Sequence, residues 1–313
     1  MRSVVPPERI FVITSSGIES RVRSELSGLK GINVVGEPLS RNTAPALALA
    51  SFLISRRSPD AVCAVLPSDH VVGKRAEFLR NLKQAARAAG RGSLVVFGVP
   101  PTRAETGYGY IHAGGREPSL GPGVLRVKRF VEKPDRRTAE KFLKSGDHYW
   151  NSGMFVWRTD VFLEGVRKHM PALHADLVRY ERDLRRKPRR RALKEFYSGV
   201  AAESIDYGLL EKSRNIVMVK AGFPWDDLGS WTSLERICGK DRNGNISQGR
   251  TVALDTTDCV LFSRQGLVAA LGVRDLVIVR TEDVTLVCSR EMAQEVKRIS
   301  RTLSASGRLK KFL

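Results

Sequence analysis

An aspartate stands where a run of apolar residues, expected to form a buried strand, is followed by a loop. The run 61–66 is apolar throughout, as expected for a strand that is covered on both faces of a sheet. It is followed by Pro67-Ser68-Asp69-His70. Ligands of parallel sheets bind beyond the carboxyl ends of the strands. Asp69 therefore occupies a position where a binding or catalytic side chain is expected.

The elements that would position Asp69 alternate between strands and helices. One helix is expected to begin near residue 43, with Asn42 or Thr43 as its cap and Pro45 in its first turn. Alternation of this kind indicates a mostly parallel sheet with right-handed crossovers, so the sequence predicts an α/β fold. The expected strands are 10–13, 34–35, 61–66 and 94–98, and the expected helices are 19–29, 46–54, 78–89 and 138–143.

The chain after residue 245 follows a different pattern. Short β runs begin at regular intervals with turn residues between them, which is typical of a sandwich or a solenoid. An apolar stripe at helical spacing follows these runs. We therefore expect two domains, an α/β domain over residues 1–242 and a β-rich module with a C-terminal helix over 243–313. The β runs begin near Thr251, Cys259, Leu267, Leu276 and Thr285, and the stripe consists of Met292, Val296, Ile299 and Leu303.

The charge of the chain is unusually positive. Lysine and arginine number 53 against 33 acidic residues, a formal net charge of +20. Such an excess suits nucleic acid or a phosphorylated ligand. The densest basic run, 182–191, contains no aromatic residue that could stack on a base, and Pro188 interrupts it. We interpret the run as a solvated face and do not expect nucleic-acid binding, which stays the minority alternative.

Other features of the sequence bear on the compartment. No apolar run approaches the roughly 18–20 residues of a membrane helix, and the first residues lack the apolar stretch of a signal peptide. We therefore expect a cytoplasmic protein without a membrane partner. The four cysteines form no CxxC pair, which favours free thiols over zinc ligands or disulfides.

Seven phrases of the chain, in this order, resemble the sugar nucleotidyltransferases, and within them the mannose-1-phosphate guanylyltransferases. The resemblance extends from about Pro7 to Ser289. It implies a Rossmann-like nucleotidyltransferase domain followed by a short left-handed β-helix. A homodimer is compatible with it. The phrases are EPLSRNTAPALALA at 37–50, LPSDH at 66–70, TGYGYI at 106–111, FVEKP at 130–134, WNSGMFVW at 150–157, SIDY at 204–207 and WDDLGSW at 225–231.

The reaction that the resemblance implies joins GTP and mannose 1-phosphate into GDP-mannose and pyrophosphate. It requires Mg²⁺, which proteins usually hold with one or two carboxylates together with substrate phosphates. By resemblance the metal ligands are Asp69 and Asp227, with Asp226 as the alternative to Asp227. Without the resemblance, Asp69 would be a helix cap and Asp227 a turn residue.

The same resemblance assigns the substrate-binding residues. Arg41, Asn42 and Thr43 would line the base pocket, although their simpler role is to cap a helix, and Asp69 would also bind the nucleotide. Polar side chains and free N–H groups at a helix start suit guanine and phosphate. The sugar side consists of Gly109, Glu132, Lys133 and Asn151, with Lys133 as the point charge for the sugar phosphate and a third catalytic residue beside the two aspartates. The alternative for Glu132 and Lys133 is an exposed ion pair worth less than about 1 kcal/mol.

One element of the family pattern is missing from the printed sequence. The resemblance implies a strand and a GGxGxRxxP loop that wraps the triphosphate, and no segment of the chain has this pattern. We expect that the loop is missing because the start codon was assigned too late. The alternatives are a truncated chain of low activity and a non-catalytic paralogue that binds a sugar nucleotide.

Overall fold

The computed structural model describes residues 4–229 and 231–312. Residues 4–67 and 73–223 form one compact unit, and residues 68–72 and 224–312 belong to a second. The strands are β1 Phe11–Ser15, β2 Asn33–Glu37, β3 Val62–Val65, β4 Val71–Val72, β5 Leu94–Val99, β6 Tyr110–Arg116, β7 Val124–Val131, β8 His148–Arg158, β9 Ile216–Lys220, β10 Trp225–Asp226, β11 Ile246–Leu254, β12 Val260–Leu271, β13 Leu276–Arg280 and β14 Thr285–Ser289. The helices are α1 Glu19–Glu25, α2 Thr43–Ser55, α3 Arg75–Gly90, α4 Arg136–Ser145, α5 Thr159–His169, α6 Pro171–Leu184, α7 Arg189–Gly199, α8 Ile205–Gly208, α9 Leu234–Ile237 and α10 Val296–Ala305.

The first unit is built on a six-stranded sheet with the order β3-β8-β5-β9-β7-β6, and β1 and β2 form a separate parallel pair. The sequence predicted a mostly parallel sheet, and four of the six strands, β3, β5, β6 and β9, run in one direction. Strands β7 and β8 run the other way and lie between them, so most neighbouring strands pair antiparallel. The cause for β7 is its connection, because residues 117–123 form a short turn from β6 rather than a crossover helix.

Strand β5 marks the centre of the first unit. All six of its residues are buried, because helices cover both faces of the sheet at this point. On one face Leu94 and Val96 join the main apolar cluster, to which α2, α5, α6 and α7 contribute. On the other face Phe97 lies 6.2 Å from the ring of Phe223, which in turn packs edge-on against Phe78 of α3. This rigid layer carries the loops in which the candidate residues lie.

The second unit contains a stack of β strands. β11, β12 and β13 pair in parallel, and β14 closes the sheet in the antiparallel sense. The runs predicted near residues 259 and 267 form one long strand, β12, which bulges between Ser263 and Val268 where its pairing with β11 shifts register after Gly249. Gly249 has a φ of +81°, and a Cβ at this position would collide with the carbonyl oxygen of Ser263. The predicted C-terminal helix is α10, but Met292 and Ile299 of its expected packing stripe are exposed.

No helix within the described ranges is both long and apolar enough to cross a membrane.

Candidate active site

A short antiparallel pair of strands in the second unit brings the predicted metal ligands towards one histidine. β10 pairs with β4 so that Asp226 lies opposite Val71, and the charge of Asp227, the next residue, acts on the neighbouring His70. The Oδ1 atom of Asp69 lies 3.9 Å from Nε2 of the same His70. Asp69 and Asp227, which are far apart in the sequence, are therefore both neighbours of His70.

The surroundings of His70 favour the neutral form of its imidazole. The indole Nε1 of Trp225 donates a hydrogen bond of 3.1 Å to His70 Nδ1, and the two rings pack edge to face at 5.3 Å. Burial lowers the pKa of His70 and outweighs the opposing effect of Asp69, Asp227 and Asp226. Because Nδ1 accepts a hydrogen bond, the ring proton resides on Nε2, on the side of Asp69.

The adjacent residues Asp226 and Asp227 have different hydrogen-bond and ion-pair partners. Arg236 forms a double ion pair with the buried Asp226, and its Nη2 atom lies 2.9 Å from Oδ1. Asp227 is half-buried and accepts a hydrogen bond from the backbone N–H of Gly229. The Asp69 side chain is 82% exposed. Two carboxylates are a donor set that fits Mg²⁺, and the choice of Asp69 and Asp227 as its ligands stays a prediction.

The residues predicted for the base pocket lie at the start of α2 in the first unit. The Asn42 side chain accepts a hydrogen bond of 2.8 Å from the N–H of Thr43, so the predicted cap is confirmed. Arg41 Nε donates to the carbonyl oxygen of Tyr197 at 2.9 Å, and Thr43 Oγ1 accepts from the N–H of Ile205 at 2.9 Å. All three side chains thus have structural partners, and their contact with a nucleotide stays a prediction.

The backbone of Asn42 is strained. Its φ of +65° and ψ of −171° lie in a region that is almost restricted to glycine. Lys133 and Leu228 also have positive φ values, +43° and +49°. All three lie in phrases that the sequence analysis singled out, and strained residues of this kind concentrate at functional sites.

The four residues predicted for the sugar side lie together in the first unit. The N–H of Asn151 donates to the carbonyl oxygen of Gly109 at 2.8 Å. A Cβ on Gly109 would overlap the Glu132 carboxylate and lie 3.5 Å from Cβ of Asn151. Glu132 also pairs with Lys133, with 3.1 Å between Oε1 and Nζ, so the ion pair of the simpler interpretation is present. A cavity of about 350 Å³, whose lining includes Glu132, opens beside this group.

A further acid, Asp206, belongs to the sugar-side group and received no role in the sequence analysis. Asn151 Nδ2 donates a hydrogen bond of 2.8 Å to Asp206 Oδ1. Ser204 caps the short helix α8 through the N–H of Tyr207, which places Asp206 in its first turn. The phrase SIDY was noted, but nothing in these four residues indicates that Asp206 contacts Asn151. His70 was missed in the same way within LPSDH.

The negative charge of Asp206 destabilises the folded state. Burial and the Glu132 carboxylate raise the pKa of Asp206, and they outweigh the hydrogen bond from Asn151. A carboxyl group whose pKa is raised on folding destabilises the folded state at every pH above that raised pKa. The ionised Asp206 carboxylate therefore lowers the free energy of unfolding of the protein at neutral pH.

Asp206→Asn is accordingly expected to raise the melting temperature at pH 7.5. The rise should be about 2–4 °C for each kcal/mol by which the substitution increases the free energy of unfolding. The difference from the wild type should shrink as the pH falls through the raised pKa of Asp206, because the carboxylate then takes up its proton. Thermal unfolding at several pH values measures both effects. Asp283→Asn, in an exposed turn, is the control. A lower melting temperature of Asp206→Asn at pH 7.5 would contradict the assignment.

The basic run 182–191 is partly neutralised by neighbouring acids. Lys187 lies within ion-pair distance of Asp183 and Glu195, and Arg191 also pairs with Glu195. These pairs agree with the interpretation of the run as a solvated face.

Residues 5–244 match the nucleotidyl transferase family, and residues 249–303 match the MannoseP isomerase/GMP-like β-helix domain. The chain belongs to the nucleotidyl transferase family. The predicted family and fold class, a nucleotidyltransferase domain followed by a β-helix, are confirmed. The domain boundary predicted at 242–243 stays a prediction.

Similar proteins include polysaccharide biosynthesis proteins and named mannose-1-phosphate guanylyltransferases. The xanthan biosynthesis protein XanB of Xanthomonas campestris pv. campestris is 41% identical over 283 residues, which cover 90% of this chain and 59% of that protein. Mannose-1-phosphate guanylyltransferase 2 of Escherichia coli O157:H7 is 38% identical, over 91% of this chain and 60% of that protein. A solved structure titled mannose-1-phosphate geranyltransferase, from Thermus thermophilus, has a TM-score of 0.85 and 37% identity, and the match covers 97% of this chain and 87% of that one. The chain spans about 60% of the length of the curated relatives.

Proposed function

We propose that the protein transfers a guanylyl group from GTP to α-D-mannose 1-phosphate, giving GDP-mannose and pyrophosphate. The observation that carries the proposal is the similarity, over some nine-tenths of this chain, to relatives that include a named mannose-1-phosphate guanylyltransferase. The grouping of Gly109, Glu132, Asn151 and Asp206 supports it, because these residues offer donors and acceptors suited to sugar hydroxyls.

The reaction is a direct displacement at phosphorus. A phosphate oxygen of mannose 1-phosphate attacks the α-phosphorus of GTP and forms a new P–O bond. The bond from the α-phosphorus to the oxygen of the β-phosphate breaks, and pyrophosphate leaves with that electron pair. No covalent intermediate with the protein is needed, so catalysis consists of positioning and of charge stabilisation.

The residues of the chain divide this work. Glu132 accepts hydrogen bonds from sugar hydroxyls, Asn151 donates and accepts, and Lys133 pairs with the sugar phosphate. Arg41, Asn42 and Thr43 contact the nucleotide through the start of α2. Asp69 and Asp227 hold Mg²⁺, which supplies positive charge to the phosphates when it is bound. The cytoplasmic location and the homodimer stay predictions.

The proposal is tested by incubating the purified chain with GTP, mannose 1-phosphate and Mg²⁺. Magnesium-dependent release of pyrophosphate with equimolar GDP-mannose is the expected result. UTP and glucose 1-phosphate in place of the two substrates measure the selectivity. Calorimetric binding of GDP-mannose is measured in parallel.

The two assays separate the alternatives. Binding of GDP-mannose without turnover would favour a non-catalytic protein that binds the sugar nucleotide. If the protein neither binds GDP-mannose nor forms it, the proposal is overturned. Affinity for RNA that falls steeply with salt and disappears when Arg189, Arg190 and Arg191 are changed to serine would favour the nucleic-acid alternative.

A further inference from the structure

Two histidines and an aspartate meet at one end of the β6–β8 strand pair. His112 of β6 lies directly opposite His148 of β8 in the antiparallel register. Asp147 precedes His148 at the end of the α4–β8 turn. One carboxylate oxygen of Asp147 lies 3.0 Å from Nε2 of His112, and the other lies 2.7 Å from Nδ1 of His148. The two imidazoles therefore face the same carboxylate.

The packing of this cluster fixes the direction of its rings. The ring of Phe142 stacks on His148 at 4.0 Å, and His148 stacks on His112 at 4.5 Å, both nearly parallel. Ser145 Oγ lies 2.8 Å from His148 Nδ1. The backbone N–H of Ala113 donates to the carbonyl oxygen of Asp147 at 2.9 Å, which ties the turn to β6. Because the two imidazoles are nearly parallel, one ring must turn before both nitrogens can point at a single ion, and the carboxylate that they share already brings those nitrogens together.

We propose that His112, Asp147 and His148 bind a divalent transition-metal ion of the Zn²⁺ or Co²⁺ type. A ligand atom from each residue lies within 4.8 Å of the other two, a spacing that one ion can bridge, and no other such trio occurs among the residues that the structure describes. Two imidazole nitrogens and a carboxylate oxygen favour Zn²⁺, Co²⁺ or Ni²⁺ over Mg²⁺, which prefers oxygen ligands alone.

The surroundings leave a path for the ion. The Asp147 side chain is 48% exposed and that of His112 is 28% exposed, whereas His148 is largely covered. Three protein ligands leave a fourth, solvent-facing position for water in a tetrahedral site. Lys128 of β7 is a nearby positive charge that works against a bound cation, and the carboxylate of Asp147 supplies the opposing charge.

The expected role of the ion is to fasten the strand pair. The Tyr110–Trp150 pair lies two residues along the same register from His112 and His148, and Asn151 follows it. The ion would thus clamp β6, β8 and the end of α4 beside the sugar-side residues without touching the substrates. This inference does not depend on the proposed transferase activity.

Direct metal titration tests the site. The untagged chain is freed of metal with a chelator and titrated with Co²⁺ at pH 8, and the visible d–d absorption is recorded. We expect one Co²⁺ per chain, displaced by one Zn²⁺, and a higher melting temperature in the presence of Zn²⁺. His112→Gln and Asp147→Asn should each weaken binding by roughly 100-fold or more, since loss of an outer-shell partner alone costs 10- to 100-fold.

His174→Gln is the matched control, because it removes a histidine of α6 outside the cluster and should leave binding unchanged. The His112 and Asp147 variants keep the Phe142–His148 stack, and circular dichroism checks that they are folded. The proposal is overturned if the wild type does not bind Co²⁺, or if His112→Gln and Asp147→Asn bind it as tightly as His174→Gln. A thiolate charge-transfer band would indicate cysteine ligands and would also overturn it.

Discussion

Asp227→Asn is expected to lower magnesium-dependent formation of GDP-mannose by at least about 10²- to 10³-fold, the cost of removing one preorganised charge-stabilising group. The amide keeps the size of the side chain and an oxygen that can accept the hydrogen bond from Gly229. It removes the negative charge that a magnesium ligand needs. Initial rates of pyrophosphate release over a range of Mg²⁺ concentrations measure the effect, and excess Mg²⁺ should restore the rate in part.

The adjacent aspartate provides a contrast that the sequence alone does not offer. Asp226→Asn breaks the double ion pair with Arg236 in a buried setting, so this variant should lose stability. Asp227→Asn should keep the wild-type melting temperature, and Asp283→Asn should change neither rate nor stability. Normal turnover of Asp227→Asn at limiting Mg²⁺ would show that Asp227 is not a metal ligand.

Local signals in the sequence predicted the elements that depend on local rules. The start of α2 follows from a cap residue and a proline in the first turn, and the structure has Asn42 as that cap. Strand β5 follows from a continuous apolar run and is buried along its length. The apolar residues themselves encode these features, so a pattern of a few residues is enough to find them.

Features that depend on distant partners were not accessible in this way. The antiparallel placement of β8 between β3 and β5 is set by tertiary pairing, and its apolar run reads the same in either direction. The ion pair between Arg236 and the buried Asp226 joins residues ten positions apart, and nothing in the phrase WDDLGSW indicates it. The role of Asp206 depends on Asn151, 55 positions away.

Gly109→Ala is expected to raise the KM for mannose 1-phosphate by roughly 10- to 100-fold, the equivalent of one charge-assisted hydrogen bond, with little change in the KM for GTP. The new methyl group would occupy the place of the Glu132 carboxylate. Because that carboxylate is the end of a flexible side chain, it can move aside at small cost to folding. The variant should therefore stay folded while Glu132 loses its position beside Asn151.

Gly115→Ala is the matched control for this prediction. Gly115 lies on the same strand, β6, and a Cβ there has no atom within 4 Å, so the same change of residue type should leave both KM values unaltered. Steady-state kinetics with each substrate varied in turn distinguishes a local loss of sugar binding from a general loss of activity. Equal changes in the two KM values, or an unchanged KM for mannose 1-phosphate in a folded Gly109→Ala variant, would place the sugar away from Glu132. The steric conflict with the protein is confined to one carboxylate, so a selective effect on the sugar arises either from the displaced Glu132 or from the new methyl group at Gly109, and both lie on the sugar side.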